Sequence, residues 1–173
     1  MLLTASAKPD EASALVQKYL KDNPKDVLVR NYLGQQAIAR GDYKEAAVQY
    51  RAAAATEPDN LTILNNLAWS LSEIKDPKAL EYAAHAYALA PGNPSVANTY
   101  GWVLVQKGDL TQGIAALRRA VALSPDDAEY RVYLARALIQ SGDKAGARKE
   151  LDVAAKSDNQ KARGQAEQLI KTL

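Results

Sequence analysis

The stretch DVLVRNYLGQQAIARGDYKEAAVQYRAAAATEPDN, residues 26–60, decides the fold. Val29, Leu33, Ala37 and Ile38 place apolar groups on one face of a helix. Gly41 lets the backbone leave that helix, and Asp42 stands where the N-cap of a second helix belongs. Glu45, three residues on, completes a capping-box pattern. Ala46, Tyr50 and Ala53 form the inner stripe of the second helix, and Pro58 stops it before the polar turn Asp59-Asn60. The unit is helix, tight turn, helix, proline.

Outward from this stretch the same grammar returns. Pro24, Pro58, Pro91 and Pro125 recur at intervals of 34, 33 and 34 residues, and Asp42, Asp76, Asp109 and Asp143 keep the same spacing. A constant period near 34 marks an array of stacked helical hairpins, each burying a face against the next. The units are 27–60, 61–93, 94–127 and 128–158. The second is one residue short, and its turn, Asp76-Pro77, predicts a cap followed by proline at the first helical position. Residues 159–173 carry Ala162, Ala166, Leu169 and Ile170 on one stripe and read as a capping helix. Residues 1–26 match only the second helix of a unit, apart from a stump at Leu2-Leu3. An uncovered half-repeat predicts either self-association or further units upstream. The fold class is all-α.

Composition narrows the function. The net charge of +2, from 22 basic and 20 acidic side chains in 173 residues, lacks the concentrated basic stripe of a nucleic-acid binder. Without cysteine there is no disulfide or thiolate site, and a single histidine, His85, argues against a metal cluster. Absence of cysteine fits cytosol and oxidising envelope equally. No apolar run approaches the roughly 18 residues of a membrane span, and the start MLLTASAKPDE has too short an apolar stretch for a signal peptide. No glycine-rich phosphate loop and no convergent acid, base or nucleophile set occurs, so the chain reads as non-enzymatic and cofactor-free.

These residues resemble the tetratricopeptide repeat (TPR) over nearly the whole chain. The motif's early small residue stands as Gly34, Ala68, Gly101 and Ala135, and its turn glycine as Gly41, Gly108 and Gly142, with Lys75 departing. Its packed alanines stand as Ala46, Ala79, Gly113 and Ala147, then Ala53, Ala86, Ala120 and Ala154. Arg30, Leu64, Ala97 and Arg131 replace the motif's frequent tryptophan. The resemblance implies a right-handed superhelix, an α-solenoid whose first helices face a concave side. More narrowly, NNLAWSLSEIKDPKALEYAAHAYALAPGNP, TYGWVLVQKGDLTQGIAALRRAV, GDKAGARKELD and QAEQLIKTL look like the C-terminal part of TPR lipoproteins associated with exosortase/PEP-CTERM systems, which accompany exopolysaccharide production in Gram-negative bacteria. That resemblance implies an envelope or periplasmic scaffold with its lipid-anchor cysteine upstream; a cytoplasmic location is the alternative.

Counting along each unit, position five is Asn31, Asn65, Asn98 and Val132, and position nine, one turn on, is Gln35, Trp69, Trp102 and Arg136. Two further turn-related positions add Ser72 and Glu73, Val105 and Gln106, and Ile139 and Gln140. An asparagine amide offers both donor and acceptor and so matches a peptide bond of any sequence. Tryptophan is a frequent binding hot spot and also stacks on sugars. A similar asparagine ladder holds peptide backbones in the superhelix of O-GlcNAc transferase. The expectation is a scaffold binding an extended protein segment through Asn31, Gln35, Asn65, Trp69, Asn98, Trp102, Arg136 and Gln140. The alternative is a carbohydrate-binding module whose tryptophans stack on an exported polysaccharide. Packing is the bland reading of the same residues: the asparagines bonding neighbouring helices, the tryptophans covering each other, and Arg136 paired with Glu129 or Glu73. The terminal-carboxylate clamp of some chaperone-binding TPRs needs several cations, and Arg136 stands alone. Tyr32 and Tyr133 are expected to pack between hairpins, and Arg118-Arg119 and Arg148-Lys149 to face solvent.

Overall fold

A computed structural model describes the backbone of residues 9–173 and the side chains from Leu15 onward, Gln17 excepted. The Leu2-Leu3 stump lies outside the described residues. Ten α-helices and no strand occur among those described: α1 (Pro9–Asp22), α2 (Val27–Ala39), α3 (Tyr43–Ala54), α4 (Leu61–Glu73), α5 (Ala79–Leu89), α6 (Pro94–Gln106), α7 (Leu110–Leu123), α8 (Ala128–Gln140), α9 (Lys144–Ala154) and α10 (Gln160–Ile170). The hairpins α2/α3, α4/α5, α6/α7 and α8/α9 stack in chain order. First helices also pack on one another across repeats, α4 on α6, α6 on α8 and α8 on α10. Successive second helices make no comparable contact, so the stack curves with its first helices inside. This is an all-α solenoid.

Local chemistry sets the helix starts. Every first helix from α2 to α8 begins at an Asp or Asn whose side chain accepts a first-turn amide: Asp26 from Val29, Asn60 from Ile63, Asn93 from Val96 and Asp127 from Tyr130. Three second helices are capped alike, by Asp42, Asp109 and Asp143. The capping box at Asp42 is only half built. Glu45 does not reach back, because its carboxylate accepts Gln49 Nε2–H at 2.7 Å while the Asp42 N–H goes to the Ala37 carbonyl.

The shortened repeat departs further from expectation. Pro77 lies in a turn before α5 instead of at its first helical position, and the N-cap is Lys78, without a side-chain bond. Asp76 Oδ1 accepts the Lys78 N–H at 2.9 Å and caps that turn. The missing residue tightens the connection, so helical geometry is reached later. Lys75 takes φ +58°, the left-handed conformation that Gly41, Gly108 and Gly142 adopt in the other repeats.

Small residues let the hairpin axes close. Ala46, Ala53, Ala86, Ala120, Ala147 and Ala154 are fully buried. Gly101 and Gly113 face each other across α6 and α7, where a Cβ on either would meet the other's carbonyl oxygen at 2.9 Å. Where the motif's tryptophan is absent, arginine takes over in the first and last repeats. Arg30 donates to the Pro24 carbonyl at 2.8 Å and to Gln49 Oε1 at 3.0 Å. Arg131 donates to the Pro125 carbonyl at 2.7 Å and to Glu150 at 2.6 Å. In each case one guanidinium pins a proline loop to the following second helix.

Candidate functional site

The asparagine ladder exists as a geometric row. Asn31, Asn65 and Asn98 lie on α2, α4 and α6, and the side-chain oxygen of each is buried without a hydrogen-bond partner. The Asn65 amide nitrogen donates to Ser95 Oγ at 3.3 Å, the one rung that bonds the neighbouring repeat as the packing reading expects. A buried amide oxygen left unpaired costs about 1–3 kcal/mol, and here it recurs at one position of three successive repeats. Val132, the fourth rung, is buried in the core. Gln35 and Gln140 are exposed on the same row.

The tryptophans stand closer to the core than free platforms would. Trp102 is 9% exposed and belongs to the cluster built by α6 to α10; Trp69 is half-buried against that cluster. Tyr133, from α8, bridges the two: its ring is edge-on to Trp69 at 5.5 Å and tilted on Trp102 at 5.1 Å between centroids. The indoles therefore meet on a third aromatic ring instead of lying bare. With the Gln106 amide assigned to the orientation that satisfies both ends, it accepts Trp102 Nε1–H at 2.9 Å and donates to the Ser72 carbonyl at 3.3 Å. Tyr133 packs between hairpins, as its sequence position suggested, and that packing places it on the inner face. Its one sequence signal is Arg136, a helical turn later on the same face. Burial pushes the Tyr133 hydroxyl up to about 12, against the pull of Arg136. Tyr32, its counterpart in the first unit, is exposed.

Arg136 forms neither of the ion pairs that the packing reading offers it. Glu129 instead contacts Lys161 at 3.7 Å. Glu73 is close enough to feel the guanidinium, but no contact within 4.0 Å joins them. Partial burial raises the Glu73 carboxyl above its usual range, and Arg136 pulls it partly back. The guanidinium lies 5.7 Å from the centre of the Tyr133 ring, and its Nε is buried without a partner. Beside these groups a recess of ≈ 570 Å³ is lined by Ser72, Glu73, Lys75, Val105, Gln106 and Gln140, among others. Its walls mix both charges with neutral amides.

The remaining candidates lie elsewhere. His85 Nε2 is 3.0 Å from Asp59 on the exposed surface, and Arg148 pairs with Asp152 four residues on. Arg118 and Arg119 are exposed, and Arg119 donates to the Pro91 carbonyl at 2.8 Å. Among the described residues no group of three His, Cys, Asp or Glu gathers as a metal would require, and no helix is long and apolar enough to cross a membrane.

One family model described as tetratricopeptide repeat matches residues 77–131 and 104–169, and a second so described matches residues 2–60. The chain belongs to the tetratricopeptide repeat family. This TPR array is 28% identical over 126 residues to the TPR repeat-containing protein PA4667 of Pseudomonas aeruginosa, covering 72% of the array but only 21% of that relative. The array thus spans about a fifth of the length of that protein. Among solved structures, the thermophilic TPR protein TTC0263 of Thermus thermophilus superposes with a TM-score of 0.76 at 20% identity, covering 94% of this chain and 90% of that one. YrrB, described as a TPR protein with an unusual peptide-binding site, superposes at 0.69 with 21% identity, covering 94% and 83%. Both likenesses establish the fold.

Proposed function

We propose that this TPR array is a non-catalytic scaffold that holds an extended segment of a partner protein along the inner faces of α2, α4, α6 and α8. The observation that carries this reading is the row of unpaired amide oxygens on Asn31, Asn65 and Asn98, one repeat apart. Each amide carries a donor and an acceptor, so after a half-turn about χ2 a rung can take a backbone N–H in place of a backbone C=O, Asn65 giving up its bond to Ser95. That suits a ligand recognised by its main chain. The peptide-binding site named for YrrB, which shares the fold, is in keeping with it. Nothing in the geometry favours the polysaccharide alternative, since Tyr133 already packs on both indoles that would have stacked on sugar.

The chain's two tryptophans both adjoin the groove, so their emission reports occupancy. Titration with a library of unstructured peptides should yield saturable binders. Asn65→Ala combined with Asn98→Ala should weaken them about tenfold or more while far-UV circular dichroism stays unchanged. Undiminished affinity in that double variant would remove the ladder from the function. By its resemblance to exosortase-associated lipoproteins, the scaffold belongs to the envelope of a Gram-negative bacterium. Recovery of the native protein in the soluble cytoplasmic fraction would overturn that assignment.

A further inference from the structure

We propose that Arg136 makes the groove selective for a partner segment that carries an aspartate or glutamate side chain opposite the fourth repeat. This rests on the peptide-groove reading and names the chemistry of its final contact. Along the inner row the recognition groups change at that point. Position five passes from asparagine to the buried Val132, and position nine passes from indole to guanidinium. Main-chain recognition by amides therefore stops where a cation begins. Arg136 is also unsatisfied: its Nε has no hydrogen-bond partner and, among the described residues, no carboxylate comes within ion-pair distance.

The other charges near it on α8 are committed elsewhere, while Lys75 adds a second cation to the recess wall. Arg131 serves Glu150 and Pro125, and Glu129 contacts Lys161. Glu73 feels the charge of Arg136 but lies beyond ion-pair distance from it. The guanidinium carbon lies over the Tyr133 ring at 5.7 Å, and Gln140, one turn along α8, adds an exposed amide. A planar guanidinium with free donors fits a carboxylate in two parallel hydrogen bonds. The inner row continues past α8 to α10, so a bound chain need not end here, and an internal side chain is the fitting source of that carboxylate.

The test uses the full chain and a library-selected binder, synthesised with an amidated C-terminus and carrying Glu, Gln or Lys at each position in turn. A further Gln peptide keeps its free terminal carboxylate. Fluorescence anisotropy should find one position where Glu binds about tenfold tighter than Gln. That preference should shrink with added salt, vanish in Arg136→Gln, survive in part in Arg136→Lys and widen in Glu73→Gln. Equal affinity for Glu and Gln peptides at every position would overturn the charge assignment while leaving the groove intact. A preference that follows the free terminus would overturn the side-chain source. Failure of every peptide to bind would instead remove the groove reading itself.

Discussion

Replacing Gly101 by alanine adds one carbon at the closest approach of two helices, and its effect follows from the distances there. The new Cβ would lie 2.9 Å from the Gly113 carbonyl oxygen, from Leu117 N and from Leu117 Cγ. Two of these atoms are α7 backbone, which has no rotamer to change, so α6 and α7 must move apart. Leu117 is fully buried, and separation also loosens its contacts. Overpacking of this kind costs about 1–3 kcal/mol, and backbone-on-backbone contact places it at the upper end. Alanine's helix preference over glycine returns about 1 kcal/mol, leaving a net loss of about 2 kcal/mol. For a domain of this length that lowers Tm by about 4–8 °C. Gly164, inside α10 with nothing within 4 Å of its notional Cβ, is the control. Gly164→Ala makes the same chemical change in open space and should raise stability by about 0.5–1 kcal/mol. Thermal and urea melts followed by circular dichroism measure both. If Gly101→Ala matched or exceeded the wild type, the argument from axis separation would be wrong.

Two further predictions rest on single residues. Lys75→Gly relieves a left-handed conformation at an exposed position and should add about 1 kcal/mol in urea unfolding; a loss would mean that Lys75 makes a compensating contact. Glu73 holds its proton to a higher pH in the folded chain than in the unfolded one, so its ionised form detracts from stability at neutral pH. That deficit is relieved as the pH falls through the folded-state value. Glu73→Gln should therefore equal or exceed the wild type near pH 7, with the gain vanishing below about pH 4.3, where the unfolded carboxyl is also protonated. A variant less stable than the wild type at neutral pH would show that Arg136 outweighs desolvation.

The repeats are legible because each hairpin is specified locally. A cap, a turn residue and small residues at fixed offsets recur with the period, and the helices follow them. Expectation fails where a local signal meets a local competitor. Glu45 has Gln49 one turn away and bonds it instead of closing the capping box. Pro77 meets a connection shortened by one residue, and the turn consumes it before α5 begins. The candidate site is legible only in part for a different reason. Which side chains line the groove follows from helix register, but how nearly they meet across it follows from curvature, the accumulated tilt of several interfaces. Asn31, Asn65 and Asn98 depend on register, and register finds them. Tyr133 touches Trp69 two repeats away, a contact no single unit encodes.

That same contact bears on how the solenoid comes apart. An array held by adjacent interfaces alone can fray from either end, one unit at a time. Tyr133 fastens the fourth unit to the second over the head of the third, like a stitch that skips a row. Peeling the C-terminal hairpin away must first break that tie. Hydrogen exchange should accordingly show α4, α6 and α8 opening as one cooperative block, and α2 following a schedule of its own.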